Sequence, residues 1–343
     1  MKHAAQIATA VVEHTPGKLL HVDPRRGTLT DTRIDALPEL LRPGDLLVVN
    51  DAATLPASLG GTVRGEQIEL RLAGEEPDGT WRAVAFGAGD WRTPTENRPP
   101  PPVLAPGDEL RLGPGLRARV VSRSEVSGRL VSIRFEGPAE RFWLALYPRG
   151  RPVQYAYEPL PLSLARVQTP YAARPWASEM PSAGRPLRVE LLGRIRSRRV
   201  GIATLTHAAG LSSTGDPALD SALPLPERYD LPAATVAAVA DTRRRGGRVV
   251  AVGTTVVRAL EGAALARGGD LLPGPGVTDL RIGRGFVPRL VTGLLSGVHG
   301  RDSSHFELLS AFLPGPLELL YMLHTAAGGY RGHEFGDSTL VLG

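Results

Sequence analysis

A short segment, GGRVVAVGTTVVRALEG at residues 246–262, most strongly limits what this chain can fold into. Its apolar run VVAV is short, β-branched and free of charge, which is typical of a strand buried on both faces of a sheet. The run ends at Gly253, Thr254 and Thr255, and helical character follows. Such a junction leaves backbone N–H groups and hydroxyls free at a helix start, where anions bind well. The segment predicts either a ligand-binding βα unit or a plain buried one in which Thr255 is only the N-cap.

The two halves of the chain differ in pattern. In the second half, strand-like runs such as VGIATLT alternate with helical ones such as PAATVAAVADTRRRGG, which predicts an α/β domain with a mostly parallel sheet. Between residues 61 and 151, short runs such as QIELRLAG and RLVSIRFEG are separated by Gly, Pro and Asp turns, which is typical of a small antiparallel β-barrel. We therefore predict an α/β domain of residues 1–60 and 152–343, with an inserted barrel domain of residues 61–151.

Composition excludes several classes of site. The 343 residues contain no cysteine, so disulfides, thiolate nucleophiles and thiolate metal sites are excluded, and a cytoplasmic location is expected. The eight histidines show no HExxH or similar spacing, so no metal is predicted. No apolar run reaches the ~18 residues that a membrane span needs. A net charge of +5 permits contact with nucleic acid without establishing it.

Polar residues cluster where the predicted strands end. Ligands in open α/β sheets bind beyond the carboxyl ends of the strands, so we expect these clusters to converge on one pocket. The clusters supply hydroxyls, histidines and carboxylates but no strong nucleophile, which favours polar ligand binding and proton transfer. The candidates are Asn50, Asp51, Thr206, His207, Gly253, Thr254, Thr255, Arg258, Glu261, Ser296, His299, Ser303, Ser304 and Asp337.

Each candidate also has a purely structural interpretation. Asn50 and Asp51 suit a turn, and His207 suits a loop. Ser304 is followed three residues later by Glu307, which is a helix-capping signature. Arg258 and Glu261 could form a plain surface ion pair on one helix face. The absence of GxGxxG, Walker A and GxSxG patterns argues against dinucleotide, P-loop and α/β-hydrolase sites.

Five segments together resemble one known family. GGRVVAVGTTVVRALEG is similar to that family's GxRVIAVGTTSVRxLE over nearly its whole length. The other four segments resemble family motifs in the same order and at similar spacing: LRPGDLLVVNDAATLPASLG, VQTPYAARPWASEMPSAG, GFVPRLVTGLLSGVHGRDSSHFELLSAF and HEFGDSTLVL. On these motifs the chain is identified as a member of the S-adenosylmethionine:tRNA ribosyltransferase-isomerases of the queuosine pathway.

The resemblance implies a fold and a chemistry. The family has an α/β domain with an inserted small β-barrel, and it transfers and isomerises the ribosyl part of S-adenosylmethionine onto 7-aminomethyl-7-deazaguanine in tRNA, with release of adenine and methionine. By this resemblance Gly253, Thr254 and Thr255 approach S-adenosylmethionine, while Arg258 and Glu261 organise the pocket or meet its methionine end. Further residues are expected in two groups. The proton-transfer candidates are His207, His299 and Asp337, and the further binding candidates are Asn50, Asp51, Ser303 and Ser304.

The sequence also departs from the family pattern in several loops. The APTAGLHF loop reads MPSAGRPL from Met180, TLHVGxGTF reads TLTHAAGLS from Thr204, and MHSE is reduced to Leu225-Pro226-Glu227. Because these loops are expected to hold the acceptor, two alternatives stay open. One is a paralogue that uses S-adenosylmethionine on a small molecule without tRNA, and the other is a non-catalytic ligand- or RNA-binding remnant. The sequence does not predict the oligomeric state.

Overall fold

The computed structural model describes residues 6–7, 17–301 and 303–343. Within these residues the strands are, in chain order, β1 (Gln6–Ile7), β2 (Lys18–Asp23), β3 (Thr28–Arg33), β4 (Leu46–Asn50), β5 (Ala52–Thr54), β6 (Ser58–Val63), β7 (Glu66–Glu75), β8 (Trp81–Phe86), β9 (Glu109–Arg111), β10 (Arg117–Arg123), β11 (Leu130–Phe135), β12 (Arg174–Ala177), β13 (Gly201–His207), β14 (Glu227–Leu231), β15 (Val249–Val252), β16 (Gly274–Thr278), β17 (Gly293–Gly297), β18 (Arg331–Gly332) and β19 (Ser338–Leu342). The α-helices are α1 (Leu37–Leu40), α2 (Ala139–Arg149), α3 (Val189–Ser197), α4 (Pro217–Ala222), α5 (Ala233–Arg244), α6 (Thr254–Leu265), α7 (Ser304–Ser310) and α8 (Leu317–Ala327).

A nine-stranded sheet forms the centre of the molecule, in the order β16-β14-β13-β4-β15-β17-β19-β2-β3. Its middle strands β13, β4, β15 and β17 are parallel, as the alternating pattern predicts. Towards both margins antiparallel pairs appear, since β14 runs against β13 and β19 runs against β17. The α/β class is therefore confirmed, and the sheet as a whole is mixed rather than mostly parallel.

The middle strands are buried on both faces. Every residue of β4 and β15 is buried, because helices cover each side of the sheet. Side chains alternate between two clusters: Val48 and Ala251 pack with α5, α6, α7 and α8, whereas Val49 and Val250 pack with α1 and α3. This layering fixes the carboxyl ends of the strands along one edge of the sheet.

The second unit is a closed six-stranded barrel in the order β10-β11-β8-β7-β6-β9, with antiparallel neighbours. The antiparallel barrel is thus confirmed. Its first strand starts at Ser58, slightly before the expected residue 61, because the apolar residues of β6 alternate too weakly to be recognised. Helix α2 packs against the barrel through Phe142, whose ring centroid lies 5.4 Å from that of Trp81.

The chain enters and leaves the barrel at one place. Ser58 and Arg151 exchange two backbone hydrogen bonds, with N···O distances of 2.8 and 2.9 Å. Beside them Gly150 packs so tightly that a Cβ on it would lie 2.1 Å from the carbonyl oxygen of Pro56. Only glycine fits there. We call the place where the two segments pair, at Ser58 and Arg151, the seam.

No helix among the described residues is both long and apolar enough to cross a membrane.

Candidate active site

The junction between β15 and α6 forms one part of the site. Gly253 has φ +92°, a left-handed conformation that side chains rarely adopt, and its N–H donates to the carbonyl oxygen of Leu295 at 2.8 Å. The chain can therefore leave the buried strand and start a helix at once. Gly253 is itself the N-cap of α6, so Thr254 and Thr255 occupy its first turn rather than capping it. Helix α6 runs to Leu265.

A cavity of about 470 Å³ lies at this edge of the sheet. Seven of the residues proposed from sequence line it: Gly253, Thr254, Thr255, Arg258, Ser296, His299 and Ser304. Its further polar lining comes from Glu179, Ser182, Ser212, Asp220, Ser221, Glu227, Arg281, His305 and Glu307. The size is within the usual range for small-molecule sites, ~300–1,000 Å³.

Arg258 is buried at the cavity and pairs with Glu227. Its Nη1 donates to a carboxylate oxygen of Glu227, and its Nε donates to the carbonyl oxygen of Leu280 at 2.9 Å. The other oxygen of Glu227 accepts the N–H of Gly210 at 2.6 Å. Among the described residues nothing bonds Nη2 of Arg258, although the side chain is almost fully buried. A buried guanidinium N–H without an acceptor is costly, so this atom is suited to a ligand oxygen.

His207 lies behind this pair, outside the cavity lining. It is fully buried, and neither ring nitrogen finds a hydrogen-bond partner within the described ranges. Burial lowers the pKa of His207 to about 4, although the Glu227 carboxylate lies 3.5 Å from Nε2. Burial outweighs the attraction to Glu227, which would raise the pKa of His207, and the charge of Arg258 adds to the lowering. His207 is therefore a neutral imidazole at pH 7.

The low pKa of His207 predicts a loss of stability in acid. The neutral form is favoured by folding, so its contribution is complete above pH 6.5 and falls as the pH drops towards 4. The maximum loss from a difference of ~2.5 pKa units is about 3 kcal/mol. We expect the free energy of unfolding to fall more steeply between pH 6.5 and 4.5 in the wild type than in His207→Gln. An NMR titration of the His207 ring with a midpoint near 6.5 would contradict this.

Two stacked histidines form another wall of the cavity. The rings of His299 and His305 are 5.0 Å apart at 21°, and Nε2 of His299 lies 2.8 Å from the hydroxyl of Ser296. Burial, together with the neighbouring His305 and His333, holds the pKa of His299 well below its usual range. His299 is therefore neutral near pH 7, with its ring at the cavity wall.

Glu179 supplies a carboxyl group to the cavity lining. Its Oε1 accepts a hydrogen bond from the Tyr155 hydroxyl and another, of 3.0 Å, from the N–H of Ser212. Burial raises the pKa of Glu179 to about 7, the negative charge of Glu334 adds to this effect, and the hydrogen bond from Tyr155 opposes it. A carboxyl group that titrates near neutrality in a cavity wall is suited to proton transfer.

The remaining sequence candidates support the site from outside the cavity lining. Asn50 joins three elements: its Oδ1 accepts the N–H groups of Ala52 and His207, and its Nδ2 donates to the His207 carbonyl oxygen and, at 3.4 Å, to Thr255 Oγ1. Asp51 accepts the hydroxyl of Thr206 at 2.6 Å. These bonds tie the ends of β4 and β13 to the start of α6.

Glu261 and Asp337 bind backbone groups. The fully buried Glu261 carboxylate accepts three N–H groups, those of Arg289, Leu290 and Val291, at 2.8–2.9 Å. It therefore does not form the surface pair with Arg258 that the i, i+3 spacing allows. Asp337 accepts the N–H groups of Lys18 and Arg331 at 2.9 and 2.8 Å, outside the cavity.

The start of α7 corrects the predicted cap. Ser303, rather than Ser304, is the N-cap, and its hydroxyl accepts the N–H of Phe306 at 3.2 Å. Ser304 is exposed and faces the cavity. The capping signature fails because the helix starts one residue earlier than the Ser304–Glu307 spacing suggests.

The barrel supports one wall of the cavity, which we call the wall segment, residues 209–227. Leu211 and Leu219 of this segment pack with Phe86 of the barrel. Ser127 of the barrel donates its hydroxyl to Asp216 at 2.6 Å, and Arg129 donates to the carbonyl oxygen of Thr214 at 3.2 Å. The inserted barrel thus shapes the site without lining it.

The sequence patterns did not predict Glu179, His305 or Tyr155 as site residues. They indicated Glu227 only as the remaining residue of the family's MHSE motif. The signals were weak: Glu179 directly precedes the MPSAG loop, and His305 follows Ser304. No group of three or more His, Asp or Glu side chains that could hold a metal is found in the part of the chain that the structure describes. The absence of a metal from the reaction stays a prediction.

Comparisons with known proteins agree over nearly the whole chain. A family model described as queuosine biosynthesis protein matches residues 3–341. An S-adenosylmethionine:tRNA ribosyltransferase-isomerase of Acidithiobacillus ferrooxidans is 34% identical over 344 residues, covering 96% of this chain and 92% of the relative. One of the same name from Gloeobacter violaceus is 37% identical over 321 residues, covering 89% and 84%. A crystal structure of an S-adenosylmethionine tRNA ribosyltransferase from Thermotoga maritima has a TM-score of 0.52 at 23% identity, covering 98% of this chain and 96% of that one, which shows the likeness of fold.

Proposed function

Since this chain belongs to the queuosine biosynthesis protein family, we propose that it catalyses transfer and isomerisation of the ribosyl part of S-adenosylmethionine onto 7-aminomethyl-7-deazaguanine in tRNA. The product is epoxyqueuosine, and adenine and methionine are released. S-adenosylmethionine is a co-substrate, and no metal is required. The reaction takes place in the cytoplasm, where both substrates are available.

One observation carries the assignment to this cavity. The segment that most closely matches the family pattern, residues 246–262, places Gly253, Thr254, Thr255 and Arg258 in the lining of one cavity. Nη2 of Arg258 has no acceptor there among the described residues. A carboxylate supplies two acceptor oxygens, and the start of α6 also favours negative charge. We assign the methionine carboxylate of S-adenosylmethionine to Arg258 and the first turn of α6.

The other groups suit the proton transfers. The sulfonium acidifies the ribose carbon beside it, so a modest base is sufficient to remove that proton. Of the two histidines proposed as bases, only His299 lines the cavity, and it is neutral at pH 7. We assign it this role, with Ser296 orienting the ring. Asn50, Asp51 and Asp337 are assigned to positioning, because they bind strand ends rather than the cavity.

Product analysis tests this function. The purified protein is incubated with S-adenosylmethionine and either tRNA that carries 7-aminomethyl-7-deazaguanine or the same tRNA with guanine. We expect adenine and methionine to appear in equal amounts, and only with the aminomethyl base. Release that is independent of tRNA would favour a small-molecule acceptor, whereas binding of S-adenosylmethionine without release from either mixture would favour a non-catalytic role.

The small-molecule alternative has one supporting observation. Exposed arginines on the barrel are paired with carboxylates, which reduces any positive face there: Arg111 and Arg117 pair with Glu109, Arg119 with Glu136 and Arg134 with Asp78. Phosphate contacts make binding of nucleic acid steeply dependent on salt. Affinity for tRNA that does not change between low and high salt would therefore favour a paralogue that acts without tRNA.

A further inference from the structure

A small pocket of about 20 Å³ adjoins the main cavity. It shares Glu179 and Met180 with the cavity wall. We call it the acidic pocket, because its lining includes three carboxylates and two tyrosines: Glu158, Glu179, Glu334, Tyr155 and Tyr157. A space of this size holds one water-sized group. The pocket therefore suits the end of a larger molecule whose body lies in the main cavity.

The hydrogen bonds in the acidic pocket leave acceptor atoms for a ligand. The Tyr155 hydroxyl donates to Oε1 of Glu179, and the Tyr157 hydroxyl donates to Glu334. Each hydroxyl proton is thus directed to a carboxylate. The Tyr155 oxygen already accepts the N–H of Ser213 at 3.2 Å, so the acceptors left for a ligand are the Tyr157 oxygen and the carboxylate oxygens. The two tyrosine rings are stacked with centroids 5.9 Å apart, and aromatic faces also attract cations. A primary ammonium group has three N–H donors and no acceptor, which makes it complementary to this lining.

The charges around the pocket are mixed. The Arg71 guanidinium lies 5.4 Å from the centroid of Tyr155; its Nε is bonded to Glu69 at 2.8 Å, and its Nη1 and Nη2 have no hydrogen-bond partner among the described residues. Arg185 stacks on the ring of Phe335, and His333 lies 4.4 Å from the ring of Tyr157. Burial raises the pKa of Glu179 to about 7, and the negative charge of Glu334 adds to this effect. A bound cation would relieve the repulsion between the two carboxylates.

We propose that the acidic pocket receives the primary ammonium group of the acceptor and that Glu179 takes a proton from it. This inference rests on the proposed ribosyl transfer. An N–H proton passes to an oxygen of the Glu179 carboxylate, giving a carboxylic acid and a neutral amine. Ring opening with loss of adenine leaves a carbon–carbon double bond beside the sulfonium. The freed lone pair of the amine adds to this double bond, and the π electron pair moves onto the carbon next to the sulfonium as the new C–N bond forms. Glu334, Tyr155 and Tyr157 position the ammonium group, and they also exclude uncharged substituents, because a neutral group would not offset the carboxylates.

The test compares two free bases, 7-aminomethyl-7-deazaguanine and its 7-hydroxymethyl analogue, in the presence of the sulfide analogue of S-adenosylmethionine. We expect the wild type to bind the amine about 10-fold or more tightly than the alcohol, since hydrogen bonds to charged groups are the stronger ones. This preference should grow as the pH rises through about 7, where Glu179 loses its proton. In Glu179→Gln the preference should be smaller than in the wild type, because only Glu334 remains to attract the ammonium group, and it should not change as the pH rises through about 7.

Glu125→Gln is the matched control, because Glu125 is exposed and belongs to the barrel. It should keep the wild-type preference for the amine. Full amine preference in Glu179→Gln, or no preference in the wild type, would overturn the proposal even if the tRNA assay yields adenine. Amine preference that depends on Glu179, found in a protein that releases no adenine, would support the pocket and refute the proposed function.

Discussion

Glu261→Gln is expected to lower the free energy of unfolding by about 3 kcal/mol. The two carboxylate oxygens accept three backbone N–H groups of residues 289–291 in a fully buried place. Glutamine keeps only one acceptor oxygen, and its amide N–H would face a backbone N–H, so at least one buried donor is left unpaired. Chemical denaturation at pH 7 measures the loss.

The same variant separates a structural role of Glu261 from a role in binding. Because the carboxylate does not line the cavity, the folded variant should bind S-adenosylmethionine within about 3-fold of the wild type, less than the loss of a hydrogen bond to a charged group produces. Glu125→Gln, on an exposed turn of the barrel, should change the stability by less than ~0.5 kcal/mol. A stable Glu261→Gln protein that has lost its affinity would place this residue in the binding site instead.

Arg258→Met is expected to weaken binding of S-adenosylmethionine by about 10- to 100-fold, because it removes the N–H donors proposed for the methionine carboxylate. It should also lower the free energy of unfolding by about 3 kcal/mol, because Glu227 stays buried without its partner. His207 limits that loss, since its pKa is held down partly by the charge of Arg258 and should rise when the arginine is removed. Isothermal calorimetry and denaturation measure the two effects.

A double variant distinguishes them. Arg258→Met with Glu227→Gln removes both charges and keeps an oxygen to accept the N–H of Gly210. We expect most of the stability to return while the affinity for S-adenosylmethionine stays low. If the double variant recovered both the stability and the affinity, Arg258 would affect binding of S-adenosylmethionine only through the stability of the fold.

Local patterns were enough to predict the middle of the sheet. The apolar runs of β4 and β15 are buried on both faces, so they read as uninterrupted hydrophobic segments, and the Gly253 turn between β15 and α6 shows in the sequence. The directions of the marginal strands could not be predicted in this way. Strand β19 lies between β17 and β2, a pairing that joins the two ends of the chain. No local pattern encodes such a contact.

The residues of the candidate site also divide into those that local sequence patterns predict and those that they do not. Residues next to a strand end, such as Thr255, were found because the end of the strand predicts their position. Glu179 was not, because an irregular loop carries it into the cavity, and Glu227 was not, because it begins the marginal strand β14. Distant partners hold both carboxylates there. Buried carboxylates that bind backbone, as in Glu261, look identical in sequence to those that bind ligands. Only the identity of the hydrogen-bond partner distinguishes them.

The seam between Ser58 and Arg151 has an evolutionary consequence. Because the chain departs and returns through adjacent backbone positions, the whole barrel could be gained, exchanged or lost in one genetic event without displacing any strand of the nine-stranded sheet. The sheet and its βα junction could thus be inherited unchanged while a different module was fitted beside the wall segment. Descendants of one ancestor could in this way diversify what they recognise and preserve how they hold their common substrate.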